Sequence, residues 1–449
     1  MGQNLKSRLR YIRDTRKSDP AAGSSSLPEP KDFKKNTYSS DNSSWPGWTE
    51  AGFKTLKRKV QETLPFSVPD ILPQSLAVLV PDFFRLGRIP SPRELLFFDL
   101  ETTGLSGGAG TLAFLAAFGR FVDSGQLEIT QYLLLDYPGE PDFINTVVAE
   151  LRSVELLPTP CCGAAVPPLP AAALPHPHSL LPIVVTFNGK SFDSQILKTR
   201  CLMNGIMVPE YYHADLLHPA RRLWKRLLPD CAQTTIETSL LGLDRTGDVS
   251  GALAPDIWFS FLRTGGNNEL LAVCDHNKKD ILGLASLFLC FDKIAAAPFE
   301  SRKKFRFDEE ALALSWREAL KKAPSFFGDD ESYQSHVKTG ELLLETAVKH
   351  GYRRAAFVFA LDLFKQGRSR EGRALMLKTA EDSSGDEDQI PGSLKAAALR
   401  SLAIDAEWAL CDSPAALEYT NSALEIPDIS TRLRKELEKR RSRLMKKIN

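Results

Sequence analysis

Three things are scarce in this 449-residue chain, and each scarcity removes a class of function. Its seven cysteines contain no CxxC pair: Cys161 and Cys162 are adjacent, while Cys201, Cys231, Cys274, Cys290 and Cys411 are scattered among apolar residues. That excludes a zinc ribbon or a disulfide framework and predicts reduced, buried thiols in a cytoplasmic protein. No apolar run is long enough to span a bilayer, and no signal-peptide core follows the basic start. The opening Met-Gly-Gln-Asn-Leu-Lys has Lys6 where a myristoylation motif needs Ser or Thr. A soluble protein with no membrane partner is expected. Net charge is nearly absent as well, at +1, but it is unevenly spread. Lys6, Arg8, Arg10, Arg13 and Arg16 crowd one end; Arg432, Arg434, Lys435, Lys439, Arg440, Arg441, Arg443, Lys446 and Lys447 crowd the other. Two readings of these ends are open: solvated surface, or contact with phosphates.

What is present begins with organisation. Residues 1–45 are rich in Ser, Pro, Lys and Asp and read as a disordered tail. The segment 46–92 mixes short apolar stretches with Pro65, Pro69, Pro73 and Pro81, and is expected to wrap the domain that follows. From 93 to about 300 the pattern becomes strand-like at 95–100, 111–121 and 126–135, with Gly107, Gly108, Gly110 and Gly125 in the turns. A helix is predicted near 141–153, a short strand at 183–187, and then helices at 191–203, 216–228, 233–241, 255–263 and 267–293. Strands first and helices afterwards make an α/β mixed sheet flanked by helices. The proline-dense stretch 156–182 can be neither helix nor central strand and reads as a surface insertion. His176 and His178 lie inside it without acidic or thiol companions at ligand spacing. From 308 to 449 the pattern is all-α. Helix pairs broken at Gln366-Gly367-Arg368 and at Cys411-Asp412-Ser413-Pro414 repeat at roughly 34 residues, the tetratricopeptide period. Such pairs serve as a packing face or as a dock for a protein partner.

The chemistry is carried by four acids in three clusters: LLFFDLETTG (95–104), VVTFNGKSFD (184–193) and DHNKKDILGL (275–284). Asp99 and Glu101 are two apart, so on a strand they leave the same face. They are either a strand end emerging into solvent or a pair whose burial a cation compensates. Thr102-Thr103-Gly104 follows as a turn able to hold a terminal nucleotide. Asp193 falls in the first turn of a helix, where the dipole alone would favour an acid. Asn188, just before it, is a turn residue, a helix cap or a nucleotide contact. His276 and Asp280 are four apart on a helix and face the same way. Asp275 lies about 140° round from Asp280 at ~3.6 residues per turn and should point elsewhere. Converging carboxylates of this kind can hold two divalent cations, Mg²⁺ or Mn²⁺, and His276 could take a proton from an attacking water. That chemistry cleaves phosphodiester bonds, so nucleic acid is the expected substrate. Asp215 either assists the acids or caps a helix. Arg221 and Arg222 either touch phosphate or face solvent.

Phe-Asp-Leu-Glu-Thr-Thr-Gly resembles the first motif of the DEDD exonuclease superfamily, which has the ribonuclease H-like fold. Thr-Phe-Asn-Gly-Lys-Ser-Phe-Asp resembles the second motif. Over roughly 93–293, including GGAGT (107–111), HADLLHPARRLW (213–224), GALAPDIWFSFL (251–262) and HNKKDILGL (276–284), the chain is similar to the YprB-like ribonuclease H-like family. Members of that family often carry tetratricopeptide-like helices after the nuclease-like domain. The resemblance implies a sheet of order 3-2-1-4-5, two Mg²⁺ or Mn²⁺ ions and hydrolysis from a 3′ end. By carry-over Asp99, Glu101, Asp193 and Asp280 are the ligands and His276 the base. Histidine-type members place the base five residues before the last acid, and tyrosine-type members place it four before. Here a histidine stands at the four-residue spacing.

A metal-dependent 3′→5′ exonuclease acting on DNA or RNA is therefore the leading expectation. A non-catalytic nucleic-acid-binding scaffold on the same fold is the alternative. Endonucleolytic cleavage of RNA in hybrids is a third.

Overall fold

A strand that reads Leu-Leu-Phe-Phe is stable only where both its faces are covered, and that places it at the centre of a sheet. The computed structural model describes residues 45–104, 110–153, 181–381, 391–427 and 429–448. The expected tail, most of the proline-rich insertion, His176, His178, Gly107, Gly108, Cys161 and Cys162 lie outside the described residues. In chain order the elements are β1 (Trp48–Gly52), β2 (Thr55–Thr63), α1 (Leu76–Leu79), α2 (Asp82–Leu86), β3 (Leu95–Thr102), β4 (Ala113–Asp123) and β5 (Gln126–Leu134). There follow α3 (Glu140–Arg152), β6 (Ile183–Thr186), α4 (Asp193–Met203), β7 (Tyr212–Asp215), α5 (Leu217–Trp224), α6 (Gln233–Ile236), α7 (Ala254–Thr264) and α8 (Asn268–Ala296). The rest is helical: α9 (Pro298–Ser301), α10 (Glu309–Lys322), α11 (Asp330–Lys349), α12 (Arg353–Lys365), α13 (Ser369–Ala380), α14 (Gly392–Trp408), α15 (Ser413–Glu425) and α16 (Thr431–Ile448).

The seven strands lie in the order β1-β2-β5-β4-β3-β6-β7. β3 pairs antiparallel with β4, with Asp99 opposite Ala117 and Glu101 opposite Leu115. On its other side β3 runs parallel to β6, which runs parallel to β7. The five strands from β5 to β7 reproduce the expected 3-2-1-4-5 order, giving a ribonuclease H-like sheet. β1 and β2 are an addition that the sequence pattern did not announce. They form a hairpin that extends the sheet, Thr55 to Thr63 pairing antiparallel with Leu134 to Gln126. The sequence of β2, Thr-Leu-Lys-Arg-Lys-Val-Gln-Glu-Thr, is mostly polar, as suits a strand near an open edge, and so it lacks an apolar alternation. The remainder of the 46–92 segment makes polar contacts with later elements. Ser75 Oγ donates to the Ala295 carbonyl, and Lys190 Nζ pairs with Asp82 on α2.

α8 is the long helix that closes one face of the sheet. Its second half buries Leu284, Leu287, Phe288 and Phe291, and Phe288 meets Phe97 of β3 edge to face. Its first half reaches past the sheet and carries His276 and Asp280 to the end of β3. The same core continues into α10 and α11 through Trp224, Phe307, Trp316, Leu343 and Leu344. Two smaller apolar clusters hold α12 to α16 together. The predicted helix breaks fall where the structure ends α12 and begins α13, and where it ends α14 and begins α15. Cys201, Cys274 and Cys290 are buried thiols, whereas Cys411 is exposed at the second break. Among the described residues no helix is long and apolar enough to cross a membrane.

Candidate active site

The C-terminal end of β3 is where charge enters an otherwise apolar strand. Asp99 and Glu101 project from the same side, Glu101 only 9% exposed. Asp193 arrives from β6 through a tight turn in which Asn188 adopts a left-handed φ of 69°. The carboxylate of Asp215 holds that turn. It accepts from the backbone N–H of Asn188 at 2.8 Å, of Lys190 at 3.1 Å and of Leu217 at 3.1 Å. Of the two open readings of Asp215, the capping one matches these contacts. From the opposite side α8 presents His276 and Asp280, with His276 Nε2 3.3 Å from Asp280 Oδ2. Glu101, His276 and Asp280 each offer a ligand atom, all within 4.8 Å of one another. Asp99, Glu101, Asn188, Asp193, Gly251, His276 and Asp280 line one cleft of about 240 Å³.

So many acids in one place perturb one another. Burial, then Asp193, Asp280 and Glu101, raises the Asp99 carboxyl well above the usual carboxylate range; one hydrogen bond from Asn277 opposes them. Burial, then Asp280 and Asp193, raises Glu101 in the same way. Asp193 is pushed up to about 7, mainly by burial and secondarily by Asp215. Asp280 is raised by burial against the opposing pull of His276 and Arg245. Among the described residues no Lys or Arg pairs with Asp99, Glu101 or Asp193. Carboxylates converging from three elements, three of the four with no cationic partner among the described residues, are the donor set that hard divalent cations take. The residues fit such ions.

Around this cluster lies a layer of polar residues that motif spacing did not single out. Arg245, in the loop between α6 and α7, bridges Asp280 Oδ1 at 2.6 Å, Asp248 Oδ2 at 2.8 Å and Glu237 Oε2 at 2.5 Å. Asp248 Oδ2 also lies 3.0 Å from His276 Nδ1. Burial pushes the Asp248 carboxyl up, but hydrogen bonds from Arg245 and His276 outweigh it, and the net direction is down. An ionised Asp248 can only accept, so His276 Nδ1 carries a proton, and Nε2 lies on the cleft side beside Asp280. A Cβ on Gly251 would come within 3.2 Å of that Nε2. On the Asp99 side Asn277 Nδ2 donates to Asp99 Oδ2 at 2.8 Å. Asn277 Oδ1 accepts from Gln131 Nε2 at 3.0 Å, and Gln131 Oε1 accepts from Arg58 of β2 at 2.7 Å. The added hairpin thus reaches the acids through two buried amides. The only sequence signals for this layer were an Asn beside the chosen His and two charges in a short loop.

The other expected residues divide. Asp275 points away, as expected, and pairs with Arg58 at 3.1 Å. The Thr102 hydroxyl donates to the Gly104 carbonyl at 3.0 Å, and the Thr103 hydroxyl accepts from Leu112 N–H at 2.9 Å. Both hydroxyls close their own loop. Arg221 and Arg222 are exposed on α5 and are not brought to the cleft.

Residues 172–290 match the RNase_H_2 family model, described as RNase_H superfamily. The chain is 34% identical over 203 residues to the uncharacterised protein YprB of Bacillus subtilis (strain 168), covering 44% of this chain and 42% of that one. The match therefore spans less than half of the relative's length. Members of the RNase_H superfamily are usually nucleases and generally use divalent metal ions, which is in keeping with the acids around the end of β3. The five-strand order and that match agree on a ribonuclease H-like architecture for the sheet and its flanking helices.

Proposed function

We propose that the chain is a metal-dependent nuclease, a 3′→5′ exonuclease that hydrolyses DNA or RNA with two Mg²⁺ or Mn²⁺ ions. One observation carries the reading: four mutually repelling carboxylates from β3, α4 and α8, two buried and two half-buried, open into one cleft with a histidine at its wall. Asp99, Glu101, Asp193 and Asp280 are the proposed ligands. Bound there, the ions would lower the pKa of an attacking water and stabilise the leaving oxygen. His276 would accept the proton of that water at Nε2, while Asp248 keeps Nδ1 protonated and the ring fixed. Asn277 would hold Asp99 in one rotamer, and Asp215 would hold the turn that delivers Asp193. Asn188 and the Thr102-Thr103-Gly104 loop flank the acids and are the proposed contacts to the terminal nucleotide. Arg221 and Arg222 would touch phosphate only where a longer strand crosses α5. The helices from 308 onward are read as tetratricopeptide-like, a docking surface for a protein partner.

Release of mononucleotides from end-labelled DNA and RNA in Mg²⁺ or Mn²⁺ tests the activity, and a circular substrate separates end-dependent from internal cleavage. Asp99→Ala/Glu101→Ala should lower the rate by at least about a thousandfold. Equal inertness of wild type and variant on every substrate would remove the reading. Arg245 favours the second reading, a binding scaffold without turnover, because its guanidinium already engages one oxygen of Asp280. Tight binding without cleavage under the same conditions would select it.

A further inference from the structure

A dense run of positive charge lies far along the chain from the acidic cleft. α16 carries nine Lys and Arg against two Glu, +7 in a chain whose total is +1. Its leucines are consumed internally: Leu437 and Leu444 are buried, and Leu433 packs against the same cluster as Leu437, while Met445 and Ile448 near its end are exposed. Lys435, Lys439, Arg443 and Lys447 recur every four residues, so they form a row with about 6 Å between successive positions. The row runs past Trp408, which ends α14 with 66% of its surface exposed. Arg443 sits 5.8 Å and Lys447 6.0 Å from the centre of the indole ring. Among the described residues Lys435, Lys439, Lys446 and Lys447 make no ion pair. Arg443 shares the buried Glu407 with Arg440, which fixes the row to α14. Glu438 is the one carboxylate on this side.

We propose that this face of α16, with Trp408, binds the sugar–phosphate backbone and a stacked base of single-stranded nucleic acid. An exposed indole rimmed by cations in a row is the arrangement that single strands recognise without regard to sequence. An acidic membrane is the rival occupant of a basic helix, but such helices insert a continuous apolar face, and here the leucines are packed, leaving Met445 and Ile448 exposed near one end. The choice of nucleic acid rests on the reading of the acidic cleft; the face would deliver strand to that cleft or hold it after cleavage.

Equilibrium binding of fluorescent single-stranded DNA and RNA of about 20 nucleotides by the full chain in EDTA, across a salt series, tests it with chemistry switched off. Lys439→Glu/Lys447→Glu should weaken binding about tenfold or more and flatten the slope of log K against log salt by about 1.4 for two lost phosphate contacts. Trp408→Ala should weaken it about fivefold or more at every salt concentration. If the reversal disturbs folding, Lys439→Gln/Lys447→Gln keeps the measurement possible. DNA and RNA arms of unequal affinity identify the preferred strand. Salt-dependent binding lost in these variants upholds the face even where wild type cleaves nothing, which would sink the cleft reading alone. Variants that bind as wild type does overturn the face whatever the cleft does. Capture by phosphatidylserine vesicles without oligonucleotide binding overturns it too.

Discussion

Replacing Asp193 by Asn asks whether the cleft is a cation site without needing any substrate. Asp193 is 5% exposed, and burial followed by the nearby Asp215 lifts its carboxyl from an ordinary 3.8 to about 7. The folded value lies above the unfolded one, so the fold binds the proton more tightly. Stability from this group is therefore complete below about pH 4 and is lost as pH rises towards 7. In EDTA at pH 8 the ionised group should weaken the fold by about 2–4 kcal/mol, taking ~1.36 kcal/mol per pH unit and allowing for relaxation. Asn keeps the shape and removes the charge. The variant should melt a few degrees above wild type in EDTA at pH 8, and the gap should shrink by more than half at pH 5. Divalent cations should close most or all of that gap, because a ligand at a hundred times its Kd adds about 2.7 kcal/mol to the protein that binds it. Scanning calorimetry of both proteins at pH 5, 6.5 and 8, in EDTA, Mg²⁺ and Mn²⁺, supplies the whole comparison. The reasoning fails if Asn destabilises the EDTA-treated protein at pH 8, or if Mn²⁺ raises both melting temperatures equally.

Two further outcomes test the layer behind the acids. Asp248→Asn should leave KM for an oligonucleotide unchanged and lower kcat by about ten- to a hundredfold, since the ring loses its fixed tautomer but stays in place; a change confined to KM would refute the assigned role. Gly283→Ala would set a methyl group 1.6 Å from Glu237 Oε1, so Glu237 must move and release Arg245. A loss of about 2 kcal/mol or more in denaturant unfolding, with cleavage impaired, is expected; an unchanged midpoint would show that the contact is soft.

Much of this site could be read directly because its parts obey short-range rules. Asp99 and Glu101 share a face because a strand alternates with period two, and the apolar run before them marks the strand as central. His276 and Asp280 share a face because a helix turns every 3.6 residues, and the same periodicity sends Asp275 to Arg58 on the other side. The breaks between α12 and α13 and between α14 and α15 stand out because glycine and proline punctuate them. β1 and β2 obey no such rule. Their residues join an existing edge through backbone groups, which any sequence carries, and among the β2 cations Arg58 turns inward, to Gln131.

The polar layer was hidden for a different reason, and the reason bears on how the site works. Asp99 and Asn277 are 178 residues apart in sequence, Gln131 and Asn277 146 apart, and Arg58 and Gln131 73 apart. No periodicity links such positions; only the completed sheet brings them within hydrogen-bond reach. Each is a buried polar group whose partner must be supplied, or the fold is penalised by about 1–3 kcal/mol. The hairpin therefore does more than widen the sheet, since Arg58 saturates Gln131 and so leaves Asn277 committed to Asp99. Arg245 stands at the opposite end of the cleft in the same relation to Asp280. A guanidinium against Asp280 and a neutral amide against Asp99 give the two ends unequal charge. A cation should consequently find the Asp99, Glu101 and Asp193 end the more attractive, and the Asp280 end the weaker.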